Sequence, residues 1–155
     1  MSAALLAVAM TAAPAAHAVE FGISVGALEV ILLPLAHGGF YPYLGGAVGV
    51  SLVENLAFIA SLSIEYSFDQ GRGGFVAVTT LDYALGTRVG LDLNVAFIHD
   101  QPGLDFSKAQ FFLGAGPGVS IYFGKFTLSP FLNFFAGLTT PGASIVPGIN
   151  LSRGF

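Results

Sequence analysis

The sequence has 155 residues, with five basic and nine acidic side chains, no cysteine and a net charge of −4. Charged residues make up only 9% of the chain, against about 25% in a soluble domain, and apolar residues make up 54%. These values exclude an intrinsically disordered chain, a disulfide scaffold and, because the basic residues are few and scattered, a nucleic-acid-binding protein. They indicate a single domain that meets a membrane.

Residues 1–18 resemble an export signal. An apolar stretch over residues 3–10 leads through Thr11 and Pro14 to the small-x-small sequence Ala16-His17-Ala18. The stretch is too short for a spanning helix, which needs about 20 apolar residues. No basic residue stands near the start, so the alternative is a short N-terminal helix that is retained. We predict a Sec-type signal peptide at 1–18 and one barrel domain at 19–155.

The rest of the chain alternates with a period of two residues, which excludes helix and predicts strands with two different faces. In Arg88 to Ile98, large apolar residues occupy every second position and small or polar residues the others. Eight strands are predicted, at 19–33, 40–52, 56–68, 75–84, 88–98, 109–123, 126–137 and 144–155. The connections at 53–55, 85–87 and 124–125 are tight, and the other four are longer. Proline stands inside four segments, and since a closed sheet has no edge to tolerate it we expect bulges or rim positions there. These prolines are Pro42, Pro117, Pro130 and Pro147.

The tight turns predict a register that keeps the faces consistent. The predicted partners are Leu52 with Leu56, Ser51 with Ala57, Ala84 with Arg88, Tyr83 with Val89, and Phe123 with Phe126.

The placement of charge separates two kinds of barrel. A soluble, lipocalin-like barrel has a charged exterior, whereas a membrane barrel has an outward apolar band and a polar interior. Seven charges fall in predicted turns or loops: Glu54, Asp69, Arg72, Asp100, Asp105, Lys108 and Lys125. Five fall on the stripe of small residues: Glu20, Glu65, Asp82, Arg88 and Asp92. Only Glu29 and Arg153 fall on the apolar stripe, so the sequence predicts a membrane barrel.

The chain resembles the small OmpA/OmpX-type outer-membrane β-barrel proteins of Gram-negative bacteria in four features. These are the Ala16-His17-Ala18 end of the export signal, the eight alternating segments, the alternation of short and long connections, and Phe155. The resemblance implies an all-β, eight-stranded antiparallel up-and-down transmembrane β-barrel with short periplasmic turns and longer outer loops. It also implies an assembly signal at Ile149, Leu151 and Phe155, read by the barrel-assembly machinery, although Arg153 departs from that pattern. Outer-membrane lipid and lipopolysaccharide would surround a monomer.

The lumen is predicted to hold a structural polar network of Glu20, Glu65, Asp82, Arg88 and Asp92, with Arg88 paired to Asp92 or Asp82. A catalytic carboxylate pair is the alternative. Six aromatic residues are predicted to fill the lumen, or alternatively to line an acyl-chain slot: Tyr41, Tyr43, Phe112, Tyr122, Phe131 and Phe135. Outward aromatic belts are predicted at Phe68 and Phe75 near one end, and at Phe123, Phe126 and Phe155 near the other.

Chemistry-bearing residues are few. His99 and Asp100, with Asp105 and Ser107 nearby, invite comparison with lipid A deacylases, but the His-x-Ser-Asn run of those enzymes is absent and a solvated loop is the alternative. His37 and His99 alone do not make a metal site, and no cofactor is predicted. We expect a structural or surface-interaction role without catalysis. The alternatives are a narrow channel or transporter for small solutes and, more distantly, a lipid A-modifying enzyme.

Overall fold

The computed structural model describes residues 19–32, 36–103 and 106–154, and these form an all-β structure. The strands, in chain order, are β1 (Val19–Leu32), β2 (Ala36–Val53), β3 (Leu56–Ser67), β4 (Arg72–Ala84), β5 (Val89–Pro102), β6 (Gln110–Phe123), β7 (Phe126–Gly137) and β8 (Ala143–Gly154). A short 3-10 helix, η1 (Phe106–Lys108), precedes β6. No helix in the described ranges is long and apolar enough to cross a membrane. The predicted signal peptide, residues 1–18, lies outside the described residues.

The sheet is a closed barrel. Each strand pairs antiparallel with the next one along the chain, and β8 pairs with β1. The predicted eight-stranded up-and-down barrel is therefore confirmed. Closure gives every strand two partners, so no strand presents a row of unpaired backbone N–H and C=O groups at an edge.

The two ends of the barrel differ. Val19, Gly154 and the turns at 54–55, 85–88 and 124–125 lie at one end, which we call the turn end. The other four connections join strands at the opposite end, which we call the loop end. Gly124 has φ of 66° in its two-residue turn, a left-handed conformation that tight hairpins require and glycine adopts without strain.

Two of the predicted register partners are confirmed at the turns: Phe123 with Phe126 and Ser51 with Ala57. The predicted pairing of Leu52 with Leu56 is wrong. Leu56 pairs with Val53, because a β-bulge between Ser51 and Val53 inserts an extra residue into β2.

The predicted register at the β4–β5 turn is wrong by two residues. Tyr83 pairs with Leu91 rather than Val89, and Ala84 pairs with Gly90 rather than Arg88. The turn extends over 85–88, one residue further than predicted, and the backbone N–H of Leu85 donates to the carbonyl of Val89 at 2.9 Å. A slip of two residues keeps each side chain on its predicted face, whereas a slip of one would reverse it.

The strands reach further toward the loop end than predicted. β2 begins at Ala36 rather than residue 40, β4 begins at Arg72 rather than 75, and β5 continues to Pro102 rather than 98. Pairing of Arg72 with Pro102 closes this extension. Glycine and polar residues here carry little strand propensity, so the neighbouring strands hold this backbone in the ladder.

The four prolines lie within strands and face outward. Backbone pairing is interrupted between β6 and β7 at Pro117 and Pro130, and between β1 and β8 at Pro147, while the register is the same on both sides of each gap. Proline has no backbone N–H to donate, so the ladder loses local pairs there. The two register shifts in the described barrel lie elsewhere, at Val30/Ile31 and Ser51/Val53.

The two faces of the barrel wall have opposite character. Large apolar side chains on the outward face are exposed, such as Phe21 at 64% and Ile64 at 69%. The inward face carries serine, asparagine and carboxylate side chains together with a small apolar cluster. Glu29 and Arg153 lie on the outward face, as predicted, and the Arg153 guanidinium is 5.7 Å from the centre of the Phe126 ring near the turn end.

Candidate functional site: the barrel lumen

Three cavities follow one another along the barrel axis. They measure about 500 Å³ at the turn end, about 140 Å³ in the middle and about 240 Å³ at the loop end. The turn-end and middle cavities share Asp82 and Thr127 in their walls. The middle and loop-end cavities share four apolar side chains. The lumen is thus divided into compartments.

Two carboxyl groups lie where the turn-end and middle compartments meet: Asp82 lines both cavities and Asp92 lines the middle one. Asp82 of β4 and Asp92 of β5 are direct cross-strand partners and both are buried. Tyr122 Oη donates to Asp82 at 2.6 Å, and Ser120 Oγ donates to Asp92 Oδ2 at 2.9 Å. Ser120 Oγ also lies 3.1 Å from Ser129 Oγ. Hydroxyl groups from β6 therefore hold the two carboxyl groups in place.

The middle compartment is lined by hydroxyl and amide groups together with apolar side chains, which contribute most of its wall. Thr80 Oγ1 donates to Asn94 Oδ1 at 2.7 Å, and Tyr43 Oη lies 3.3 Å from Asn150 Oδ1. Asn133 Oδ1 is buried with no hydrogen-bond partner among the described residues. One water needs roughly 10–15 Å³ of such space and two to four polar partners, so this compartment suits a small group of waters.

An apolar girdle separates the middle compartment from the loop-end compartment. It consists of Leu28, Ile98, Phe135 and Val146, which line both cavities. All four side chains are buried, at 6% exposure or less, and belong to one packed cluster. The girdle offers no hydrogen-bonding group to a passing ion, so it opposes a continuous water path.

The loop-end compartment contains an ion pair. Arg72 Nε donates to Asp100 Oδ2 at 2.7 Å, and Arg72 Nη2 donates to Gln110 Oε1 at 3.3 Å. Glu65 and Tyr41 line the same cavity and are buried. Glu65 Oε2 and Asp100 Oδ1 have no hydrogen-bond partner among the described residues.

Luminal aromatic rings lie over glycines of neighbouring strands. A Cβ atom added at Gly148 would be 2.2 Å from Phe131 Cζ, and one added at Gly90 would be 2.1 Å from Tyr122 Oη. Such distances are too short for any side chain, so each glycine provides the space that its ring occupies. Rings set against glycines therefore fill the part of the lumen that the cavities leave.

Three solved structures of bacterial proteins are similar to this barrel. Neisserial surface protein A aligns with a TM-score of 0.61 at 13% identity, covering 91% of this chain and 100% of its own. The N-terminal β-barrel domain of Pseudomonas aeruginosa OprF aligns with a TM-score of 0.53 at 15% identity, covering 86% and 97%. Ail, the attachment invasion locus protein of Yersinia pestis, aligns with a TM-score of 0.52 at 10% identity, covering 88% and 97%.

The chain shares its fold with small eight-stranded outer-membrane barrels. The predicted resemblance to the OmpA/OmpX type is consistent with this result. No protein-family model matches the sequence, and no curated protein matches it. At 10–15% identity the similarity is one of fold.

The predicted luminal residues occupy different levels of the barrel. Asp82 lines both the turn-end and the middle cavity, and Asp92 lines the middle one. Glu65 lies in the loop-end compartment, and Glu20 is exposed where it lines the turn-end cavity. Arg88 lies exposed in the 85–88 turn, before β5 begins, so it differs from the luminal position predicted for it. A guanidinium there keeps its hydration, while Asp82 and Asp92 use Tyr122 and Ser120 as partners.

The predicted assembly residues and aromatic belts lie on the outward face or beyond the described residues. Ile149 and Leu151 are exposed on β8, and Phe155 lies outside the described residues. The rings of Phe123 and Phe126 stack at 6.0 Å near the turn end. Phe68 is 81% exposed at the loop end.

His99 and His37, predicted in loops, lie in strands. The His99 ring faces outward, stacked at 4.8 Å on Phe75 and 5.1 Å from Phe111. Its neighbour Asp100 points to the opposite face, into the lumen, while Asp105 lies outside the described residues. His37 lies in β2. In the described part of the chain no group of three or more His, Cys, Asp or Glu side chains is placed to hold a metal ion.

The ion pair of Arg72 and Asp100 is the main feature that the sequence did not predict as luminal. Glycine, proline and polar residues surround both of them, a composition that predicts loops. The available signal was the alternation of β5: Asp92, Asn94, Ala96 and Ile98 face inward, and two further residues bring the same face to Asp100.

Proposed function

We propose that this protein is an integral barrel of the bacterial outer membrane, with the exposed apolar face of its wall in contact with lipid. The observation that carries the proposal is the inverted arrangement of a closed barrel, apolar outside and polar inside. In water, the outward side chains would form an apolar surface far larger than the few hundred Å² usual for a soluble monomer. In lipid, the same surface is stabilising.

The fold neighbours support this location, and the position of the charges agrees with it. Glu29 and Arg153 are the charged side chains on the outward face of the described strands, and Arg153 lies near the turn end. In the proposed orientation the turn end faces the periplasm and the loop end faces outward. The same proposal includes export through the Sec pathway, insertion by the barrel-assembly machinery and contact with lipopolysaccharide.

The proposed role is structural or one of surface interaction, exercised by a monomer without catalysis. The closed lumen supports it, because the apolar girdle and the glycine-seated rings leave compartments rather than an open pore. The arrangement of polar groups agrees with it: Asp82 and Asp92 are held by hydroxyl groups, and the His99 ring packs between aromatic rings on the outer face.

Passage of small solutes is the second candidate function. The observation that favours it is that the three cavities lie in series along the axis, so that displacement of one girdle ring would join two of them. Conductance of the refolded barrel in a planar bilayer separates the two candidates.

Expression of the full chain in a Gram-negative host, followed by separation of the membranes, tests the location. We expect the protein in the outer-membrane fraction, resistant to extraction by urea, and with a mobility on SDS gels that changes when the sample is boiled. A Phe155→Ala variant is expected to give less folded barrel than the native chain. Recovery of the native protein in the soluble fraction would contradict the proposal.

A further inference from the structure

The loop-end compartment carries polar groups that the barrel itself does not satisfy. Glu65 is 5% exposed, and its Oε2 atom has no hydrogen-bond partner among the described residues. Asp100 is 7% exposed. Arg72 donates to its Oδ2 atom, while its Oδ1 atom likewise has no hydrogen-bond partner among the described residues. Buried polar atoms in folded proteins are almost always paired, so two such oxygens on one cavity are unusual.

The compartment holds two buried carboxyl groups, those of Glu65 and Asp100, and one guanidinium, that of Arg72. Arg72 binds Asp100 and Gln110, through separate nitrogens. Glu65 lines the same cavity and receives no hydrogen bond from Arg72. A buried carboxyl group without a counter-charge is held in its neutral form, whereas a counter-charge and hydrogen-bond donors allow it to ionise. A ligand that brings one positive charge and several N–H donors would satisfy both Glu65 and Asp100 Oδ1.

The walls of the cavity indicate the rest of such a ligand. Tyr41, Phe112 and Phe135 present aromatic rings, and the girdle forms an apolar floor. Aromatic rings attract organic cations through their electron-rich faces. Metal ions fit the compartment less well, because no described group of three or more metal-ligating side chains occurs in the barrel. The cavity extends to Gly38 and to exposed Gln70, so it is reached from the loop end.

We propose that the loop-end compartment, of about 240 Å³, is a binding site for a small primary ammonium compound with an apolar body. Glu65 is its counter-ion, Asp100 Oδ1 accepts a second N–H, and the aromatic walls hold the apolar body. A primary ammonium has three donors and no acceptor, which matches a site with two carboxyl oxygens that lack hydrogen-bond partners among the described residues. The site depends on the barrel interior and does not require the proposed location or role.

Titration calorimetry on the refolded protein in a zwitterionic detergent tests the site, with benzylamine as probe and benzyl alcohol as its neutral counterpart of the same shape. We expect saturable binding of benzylamine and none of benzyl alcohol. Glu65→Gln, which keeps the shape and removes the charge, should weaken benzylamine binding by about tenfold or more. Glu54→Gln makes the same change at an exposed turn residue and should leave binding unchanged.

Three results would overturn the proposal: no saturable benzylamine binding to folded native protein, equal affinity in native protein and Glu65→Gln, or preferential binding of benzoate. The last would identify Arg72 as the recognising group. Folding of each variant is checked by the change in gel mobility on boiling. If Glu65→Gln does not fold, Val30→Phe provides a second variant, because it fills the cavity from β1 and should abolish binding.

Discussion

An arginine placed at two depths on one strand tests whether the outer face lies in lipid. Val95 and Val89 are the same residue type on the same face of β5, and their exposed fractions are similar, 46% and 40%. They differ in position, since Val95 lies mid-strand and Val89 is the first residue at the turn end. The variants Val95→Arg and Val89→Arg therefore place the same charged side chain at two depths in the barrel wall, with the residue replaced and its face unchanged.

The expected difference follows from the strand geometry. Six residues at about 3.3 Å each separate the two valines by about 20 Å along the strand, or about 15 Å along the membrane normal for a tilt near 40°. The apolar band of such barrels is about 25 Å tall, so Val89 lies at the interface when Val95 lies near the midplane. Arginine costs about 2–4 kcal/mol at the midplane and about 0–1 kcal/mol near the interface. A difference of about 2 kcal/mol corresponds to roughly thirtyfold in the folding equilibrium.

Urea titration of the barrel refolded in lipid vesicles measures both variants against the native protein. Val95→Leu, which keeps the position apolar, is the control for disturbance of the strand. At an exposed site in water, such substitutions change the free energy of unfolding by no more than about 0.5 kcal/mol, wherever the site lies on the strand. Equal costs for the two arginine variants, each within that range, would refute the reasoning that lipid covers this face.

Three further predictions concern the lumen. Gly148→Ala should lower the free energy of unfolding by about 1–3 kcal/mol, because the new methyl group meets the Phe131 ring, and the added cost should shrink in a Phe131→Ala background. Phe135→Ala removes the largest girdle side chain and should produce discrete conductance steps in planar bilayers. Arg72→Met should cost about 3 kcal/mol in urea titrations, because it leaves Asp100 buried without its counter-charge, and Asp100→Asn in the same chain should recover part of that loss.

Each of these has an outcome that contradicts it. Gly46→Ala is the control for the glycine variant, since an added Cβ there would meet nothing nearer than 3.7 Å; equal destabilisation of the two would disprove the packing account. Silent bilayers containing folded Phe135→Ala would show that Phe135 is not the side chain that closes the lumen. An Arg72→Met variant as stable as the native barrel would show that the ion pair contributes little.

Alternation along the strands was sufficient to predict the fold and the two faces. The face on which a side chain lies depends only on alternation within its own strand. The predicted faces are therefore correct even where the predicted register is wrong, as for Tyr83, which pairs two residues further along β5 than predicted. The exact partner depends on the turn, and the structure of the 85–88 turn is not evident from Leu85-Gly86-Thr87.

The candidate site was predicted only in part, because strand ends are set by neighbouring strands rather than by local sequence. Asp82 and Asp92 lie inside the predicted strands 75–84 and 88–98, so alternation alone predicts their inward positions. Arg72 and Asp100 lie where the residue types resemble a loop, and only pairing with the adjacent strand brings them into the barrel. Arg88 shows the reverse case, because the alternating pattern includes it although β5 begins one residue later, at Val89.

Conductance of the refolded native protein in a planar bilayer tests the central claim most directly, which is that the barrel spans the membrane with a closed lumen. Insertion must be verified independently, for example by protection of the barrel from added protease. The account predicts inserted protein that is electrically silent, because the girdle of Leu28, Ile98, Phe135 and Val146 separates the compartments. Discrete ohmic steps from the native chain would contradict it and place solute passage first.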